Sequence, residues 1–181
     1  MRAISGAQLQ QWLGEIAVAG SSTRAGRGID DFDRAILRII QHDNKTPQRR
    51  IAEAVNLSAA AVQRRIAAME AAGVIECNVA VVSPDALSLA ITAIVEVHLR
   101  DERAATVDKA KALFAGEPGV QQVYYATGGV SFVLVIICRD MREYEALTRR
   151  IFSESDLVGN FRTLVALDRV KAGSTLAIPL T

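Results

Sequence analysis

Residues 46–70 read TPQRRIAEAVNLSAAAVQRRIAAME, and this stretch decides the fold. Thr46 and Pro47 mark a helix start, with a hydroxyl at the N-cap and a proline at the first helical position, where its missing N–H costs nothing. Ile51, Ala54 and Val55 give that short helix an inner face. Asn56 follows as a left-handed residue past the helix end, because its short polar side chain tolerates positive φ. Leu57 plugs the corner and Ser58 caps a second helix. Val62, Ile66 and Met69 recur at i, i+4 and i+7 as its inner stripe. The opposite face carries Ala60, Gln63, Arg64 and Ala67. Small residues followed by an amide and a guanidinium suit a helix that approaches DNA closely and reads base edges. The stretch reads as a helix-turn-helix.

Working outward, Asp30 or Asp31 caps a preceding helix whose inner face is Phe32, Ile36, Ile39 and Ile40. The three helices make a compact DNA-binding unit over residues 29–75, closed by Gly73. Residues 74–82, VIECNVAVV, have the β-branched composition of a strand and are expected to form a wing or a β linker, the linker being set at 76–88. Before all of this, residues 1–28 read as an extension and linker, in which Leu9, Leu13 and Ile16 share one helical face. Arg24 and Arg27 there have the character of a basic arm.

Past the Ser83-Pro84-Asp85 break the rhythm changes. Over residues 89–99 Ile91, Ala93, Val95, Val97 and Leu99 alternate on one face of a strand. Residues 104–115 return to helical spacing through Val107, Ala110 and Phe114. Residues 120–127 and 130–138 are two strands around Gly128-Gly129, a dipeptide that supplies the positive φ of a tight hairpin. A helix over 141–152 turns Tyr144, Leu147 and Ile151 inward, and 160–168 is a last strand. The order βαββαβ is the ferredoxin-like split, occupying residues 89–171, with 172–181 left as a C-terminal tail. Both helices cover one sheet face. The other, with Thr92, Ile94, Glu96, His98, Leu164 and Ala166, is partly apolar and calls for a second copy of the chain. Tyr124 and Tyr125 alternate across the sheet, so one should be core and the other interface or pocket, with core roles favoured for both.

Bulk properties limit the function classes. The 181 residues are half hydrophobic with a net charge of +1, which argues against global disorder and against indiscriminate coating of nucleic acid. No apolar run reaches the roughly 18 residues of a membrane span. The start lacks the apolar core of a secretory signal. Cys77 and Cys138 are too few for a disulfide framework or a cysteine-rich zinc site, and fit a reducing cytoplasm. His42 and His98 are read as structural or surface residues, so neither a metal nor a cofactor is expected.

The fold class is thus α+β: an N-terminal winged helix-turn-helix followed by a ferredoxin-like domain. That arrangement resembles the Lrp/AsnC family, the leucine-responsive and asparagine-type regulators. The resemblance covers residues 29–171 and is carried by IDDFDRAIL (29–37), similar to the family's LDxxDxxIL, by NLS (56–58), by Arg64-Arg65 and by EAAGVI (70–75). TGGVSF (127–132) and TLVALDRVK (163–171) complete it. It implies a cytoplasmic, nucleoid-associated bacterial or archaeal transcriptional regulator that binds double-stranded DNA. Such proteins form homodimers that assemble to tetramers, octamers or larger rings. They control amino-acid metabolism or transport genes in response to a small-molecule effector, commonly an amino acid.

Two sets of candidate residues follow. For DNA, Arg49 and Arg50 are phosphate-clamp residues, Ser58 is a cap that faces phosphate, and Ala59 and Ala60 permit close approach. Gln63 suits adenine, Arg64 suits guanine, and Ala67 shares their face, while Arg65 is equally suited to an internal salt bridge. For the effector, the resemblance assigns the hairpin residues Thr127, Gly128, Gly129, Val130 and Ser131. Many members carry an acidic GDxD there, whereas this chain has Gly129 and Ser131 in place of the two carboxylates. Asp156, Leu157 and Val158 replace the family's LPGV. Two alternatives remain at this point: a siroheme-decarboxylase-like enzyme of the same layout, for which His98 is the sole histidine of the second domain, and an effector-independent DNA-architectural protein.

Overall fold

A computed structural model of the chain describes residues 28–179. The amphipathic stretch and the basic pair expected before residue 28 lie outside the described residues. The chain divides into two units, one of residues 28–81 with 171–179, the other of residues 82–170.

The first unit holds helices α1 (Asp31–Ile40), α2 (Gln48–Val55) and α3 (Ala59–Ala71). A reciprocal capping box starts α1: Asp30 accepts from the Asp33 N–H at 2.9 Å, and Asp33 accepts from the Asp30 N–H at 3.3 Å. Asn56 takes the left-handed conformation (φ 54°, ψ 46°) that ends α2, and Ser58 caps α3 by accepting from the Ala61 N–H at 3.2 Å. At the end of α3, Gly73 (φ 73°) lets the Val74 N–H reach the Met69 carbonyl and its own N–H reach Glu70. This closure satisfies orphan carbonyls that a side chain with a Cβ would strain. Ile36, Ile51, Ala52, Val55, Val62 and Met69 form the core, with Ile66 and Leu57 packed against it.

Four local expectations need correction. Pro47, not Thr46, precedes α2, and the Thr46 hydroxyl donates to the Asp43 carbonyl instead of capping. Ala52 replaces Ala54 on the inner face, since the helix turns Ala54 outward. Phe32 is exposed and lies under the Arg65 guanidinium, 5.4 Å from the ring centroid, rather than in the core. Residues 74–82 form no strand: β-branched composition favours extended backbone, but among the described residues no neighbouring strand answers its N–H and C=O groups.

In the second unit, after a single 3-10 turn at Asp85–Leu87, come β1 (Ile91–Leu99), α4 (Ala104–Ala115), β2 (Val120–Tyr125), β3 (Phe132–Cys138), α5 (Met141–Thr148) and β4 (Val158–Val165). The sheet order is β2-β3-β1-β4, all neighbours antiparallel, with Val95 of central β1 opposite Leu134 and Thr163. This is the ferredoxin-like split. The helix expected to reach 152 ends as α-helix at Thr148 and continues as a π-helical turn, Arg149–Ser153, which still buries Ile151 and Phe152. β4 begins earlier than expected and leaves Leu167 beyond it, fully exposed.

Alternation sorts the sheet faces. Ala93, Val95 and Val97 of β1 and Phe132, Leu134 and Ile136 of β3 meet Val107, Ala110 and Phe114 of α4. Phe114 sits edge-on to Phe132 at 5.3 Å and to Phe152 at 5.8 Å. The opposite face bears Ile94, Tyr124 and Leu164, all exposed. Tyr124 and Tyr125 are 55% and 52% exposed, so neither is a core residue. They stand on β2, an edge strand, which has a neighbouring strand on one side only. Among the described residues no helix is long and apolar enough to cross a membrane. Truncating the ring that joins both layers, Phe114→Ala, is expected to lower the stability of this unit by about 3–5 kcal/mol in urea unfolding; a loss below about 1 kcal/mol would contradict this packing.

Candidate nucleic-acid interface and effector hairpin

The turn between α2 and α3 sets what α3 presents. With Val62 and Met69 buried beneath it, the helix turns Ala59, Ala60, Gln63, Arg64 and Ala67 to solvent. The face therefore combines a flat alanine entry with one amide and one guanidinium, both unobstructed. Among the described residues no carboxylate is within ion-pair reach of Arg64 or Arg50. Arg49, on the exposed side of α2, pairs only with Glu53 one turn on, at 3.3 Å, a contact readily exchanged for phosphate. Ser58, exposed at the N-cap, stands where the N-terminal N–H groups of α3 favour an anion.

Arg65 is different from its neighbour. It points inward and donates to Asp30 at 2.7 Å and to Asp33 at 2.8 Å, with Asp33 only 4% exposed. Those side-chain hydrogen bonds, to Asp30 and then to Asp33, raise its pKa above the usual arginine value against the opposing effect of burial. Asp30 and Asp33 also form the capping box of α1, so one guanidinium ties the recognition-type helix to the start of the first helix. Of the two alternatives open for Arg65 in the sequence, the internal one holds.

In the hairpin between β2 and β3, Thr127, Gly128 and Gly129 are exposed and Val130 is half-buried. Both glycines have positive φ, 103° and 102°, with nothing within 4 Å of a would-be Cβ. Ser131 departs from expectation: it is 5% exposed and turned inward. Its N–H donates to the Val97 carbonyl at 2.9 Å, its Oγ accepts from the Leu99 N–H at 3.0 Å, and its hydroxyl donates to Glu102. Glu102 also accepts from the Tyr125 hydroxyl at 3.3 Å, and the Lys111 ammonium lies 5.1 Å from the Tyr125 ring. Partial burial and then the Glu102 charge raise the Tyr125 pKa. Sequence reading missed Glu102 and Lys111, because a charged loop and a helix face carry no signal that they converge on a hairpin elsewhere in the chain, whereas Tyr125 takes the interface or pocket place open to one of the two tyrosines. Asp156, in the loop before β4, is exposed, and among the described residues it forms no hydrogen bond or ion pair with the hairpin. No group of three metal-ligating side chains occurs among the described residues.

Two family descriptions match the chain in the same order as its units. The winged helix-turn-helix DNA-binding family matches residues 29–76, and the Lrp/AsnC ligand binding domain matches residues 92–176. An HTH-type transcriptional regulator of Sinorhizobium fredii, y4tD, is 41% identical over 152 residues, covering 84% of this chain and 89% of its own. The chain belongs to the Lrp/AsnC family. It is a DNA-binding transcriptional regulator of that type. Among solved structures, an AsnC family regulator from Agrobacterium tumefaciens superposes with a TM-score of 0.76 at 26% identity, covering 81% of this chain and 95% of that one. A feast or famine regulatory protein from M. tuberculosis, complexed with L-methionine, gives 0.76 at 26% identity, covering 84% and 100%.

The two adjacent arginines of α3 should separate cleanly. Arg65→Ala is expected to lower the stability of the helix-turn-helix unit by about 2 kcal/mol, because it removes a charge-assisted bond from the buried Asp33 and a second one from Asp30. Arg64→Ala should change it by less than about 0.5 kcal/mol. Thermal unfolding compares them, and equal stability of the two variants would contradict the inward role of Arg65.

Proposed function

We propose that this regulator lays α3 in the DNA major groove, works as a dimer, and adjusts its DNA affinity to an amino acid held at the 127–131 hairpin. The observation that carries the reading is the outward face of α3. Gln63 and Arg64 match adenine and guanine edges, Ala59, Ala60 and Ala67 allow approach, and Arg49, Arg50 and Ser58 flank them for phosphate. Arg64→Ala is expected to weaken binding to a selected operator by about 1–3 kcal/mol, with oligomeric state unchanged. Undiminished binding in a gel-shift titration would remove the helix assignment.

The dimer is supported by the uncovered sheet face. Ile94 and Leu164 are register partners on it and both are exposed, an unusual cost for a face that stays wet. A two-fold dimer also offers two copies of α3 to two half-sites. Larger assemblies of such dimers, and action at the nucleoid in the cytoplasm, belong to the same reading. Leu164→Asp is expected to shift sedimentation from dimer to monomer while the far-ultraviolet spectrum stays native; an unchanged dimer would place the interface elsewhere.

Amino-acid sensing draws support from the L-methionine held by the M. tuberculosis relative and from Glu102. Its carboxylate stands beside the hairpin, oriented by two hydroxyls, and offers the negative charge that Gly129 and Ser131 lack. A thermal-shift panel of the common L-amino acids is expected to single out at least one, with the shift reduced in Glu102→Gln. A flat panel with wild-type protein would favour the effector-independent architectural reading. For the decarboxylase alternative, the sole histidine of the second domain, His98, lies half-buried on the open sheet face, opposite Asn160 of β4, and no other observation favours that reading.

A further inference from the structure

The last residues do not trail free of the fold. Residues 171–179 belong to the helix-turn-helix unit, so the chain leaves that unit at 81, builds the sensing domain, and returns to it. The contact is made by the end of α1. Arg38 donates to the Ile178 carbonyl from Nε at 3.3 Å and from Nη2 at 3.1 Å, and from Nη2 to the Pro179 carbonyl at 2.6 Å. Gln41 donates its amide to the Leu176 carbonyl at 3.1 Å and accepts the Leu176 N–H at 3.1 Å.

Every one of these bonds joins the side chain of Arg38 in α1, or of its C-cap Gln41, to the backbone of the tail. Gln41 answers both polar groups of one residue, as a neighbouring strand would, and the guanidinium bonds are charge-assisted. Burial contributes little: Leu176 is 74% exposed and Ile178 only half-buried. Pro179 biases Ile178 toward extended backbone, the form a docked peptide takes. A contact made by polar groups, with little apolar area, opens more easily than a core contact.

We propose that Arg38 and Gln41 form a docking site for an extended peptide backbone, and that its occupant is this chain's own segment 174–179. The segment acts as a strap from the end of β4 to the first helix of the DNA-binding unit. Gly173 precedes it and gives the strap a pivot. β4 carries Leu164 of the open sheet face, so whatever covers that face acts on the strand from which the strap departs. The strap therefore gives the sensing domain a second covalent route to the helix-turn-helix, besides the linker before β1.

Amide hydrogen exchange on the full chain tests the site directly. The Leu176 amide is expected to exchange at least ten-fold more slowly in wild-type protein than in Gln41→Ala, and Arg38→Ala should speed it similarly. The amides of Ile51 and Val62 should stay protected in all three, which shows the unit folded. Equal Leu176 rates in the three proteins overturn the docking site. For the coupling role, a chain ending at Gly173 is compared with the full chain on a duplex selected by the protein from a random pool. An affinity change of at least three-fold is expected. Protection of Leu176 with unchanged DNA affinity on truncation would leave a contact without the coupling, and would overturn the strap as a route between domains.

Discussion

The contact on which the DNA-binding face depends is the Arg65 guanidinium between Asp30 and Asp33. It costs desolvation of a nearly buried carboxylate, and three groups satisfy one another in return. Because the same two aspartates cap α1, a shift of α3 along its axis would break a cap and an ion pair together. The stacking of Arg65 over Phe32 adds a lateral stop, and explains why a large aromatic residue stands exposed there. Arg64, one residue earlier, is thereby aimed outward with the helix axis fixed. Two adjacent arginines of identical chemistry thus have opposite tasks, divided by the helical rotation of about 100° between neighbours.

Much of this was legible in the chain because it rests on local rules. Asn56, Ser58 and Gly73 announce their conformations through short-range chemistry, and each takes the backbone state expected of it. The alternation along β1 and the spacing in α4 likewise sort the inner face without any knowledge of partners. Failures came where a long-range partner decides. Residues 74–82 have strand composition, yet composition cannot supply the second strand that a ladder needs. Tyr124 and Tyr125 have core character, but their place on an edge strand was a matter of sheet order. Ser131 read as a ligand-facing hydroxyl and is instead held by Leu99 and Glu102, residues far from it in sequence.

The sensing domain shows the same division between what is rigid and what is left open. One sheet face is sealed by aromatic contacts among Phe114, Phe132 and Phe152, while the other keeps Ile94 and Leu164 at the surface. The hairpin adds two unencumbered glycines next to an oriented carboxylate. These open features, together with the tail on α1, are the places where binding events can act without disturbing either core. A regulator needs that separation, since a ligand shifts an equilibrium only through contacts that differ between states.

The central claim is that α3 reads sequence rather than merely holding DNA. Genome-wide occupancy mapping of the tagged protein in its own cells measures this most directly. Discrete peaks sharing a two-fold symmetric motif, lost when Gln63 and Arg64 are both replaced by alanine, are the expected result. Even coverage of all DNA, or peaks that survive the double replacement, would contradict it.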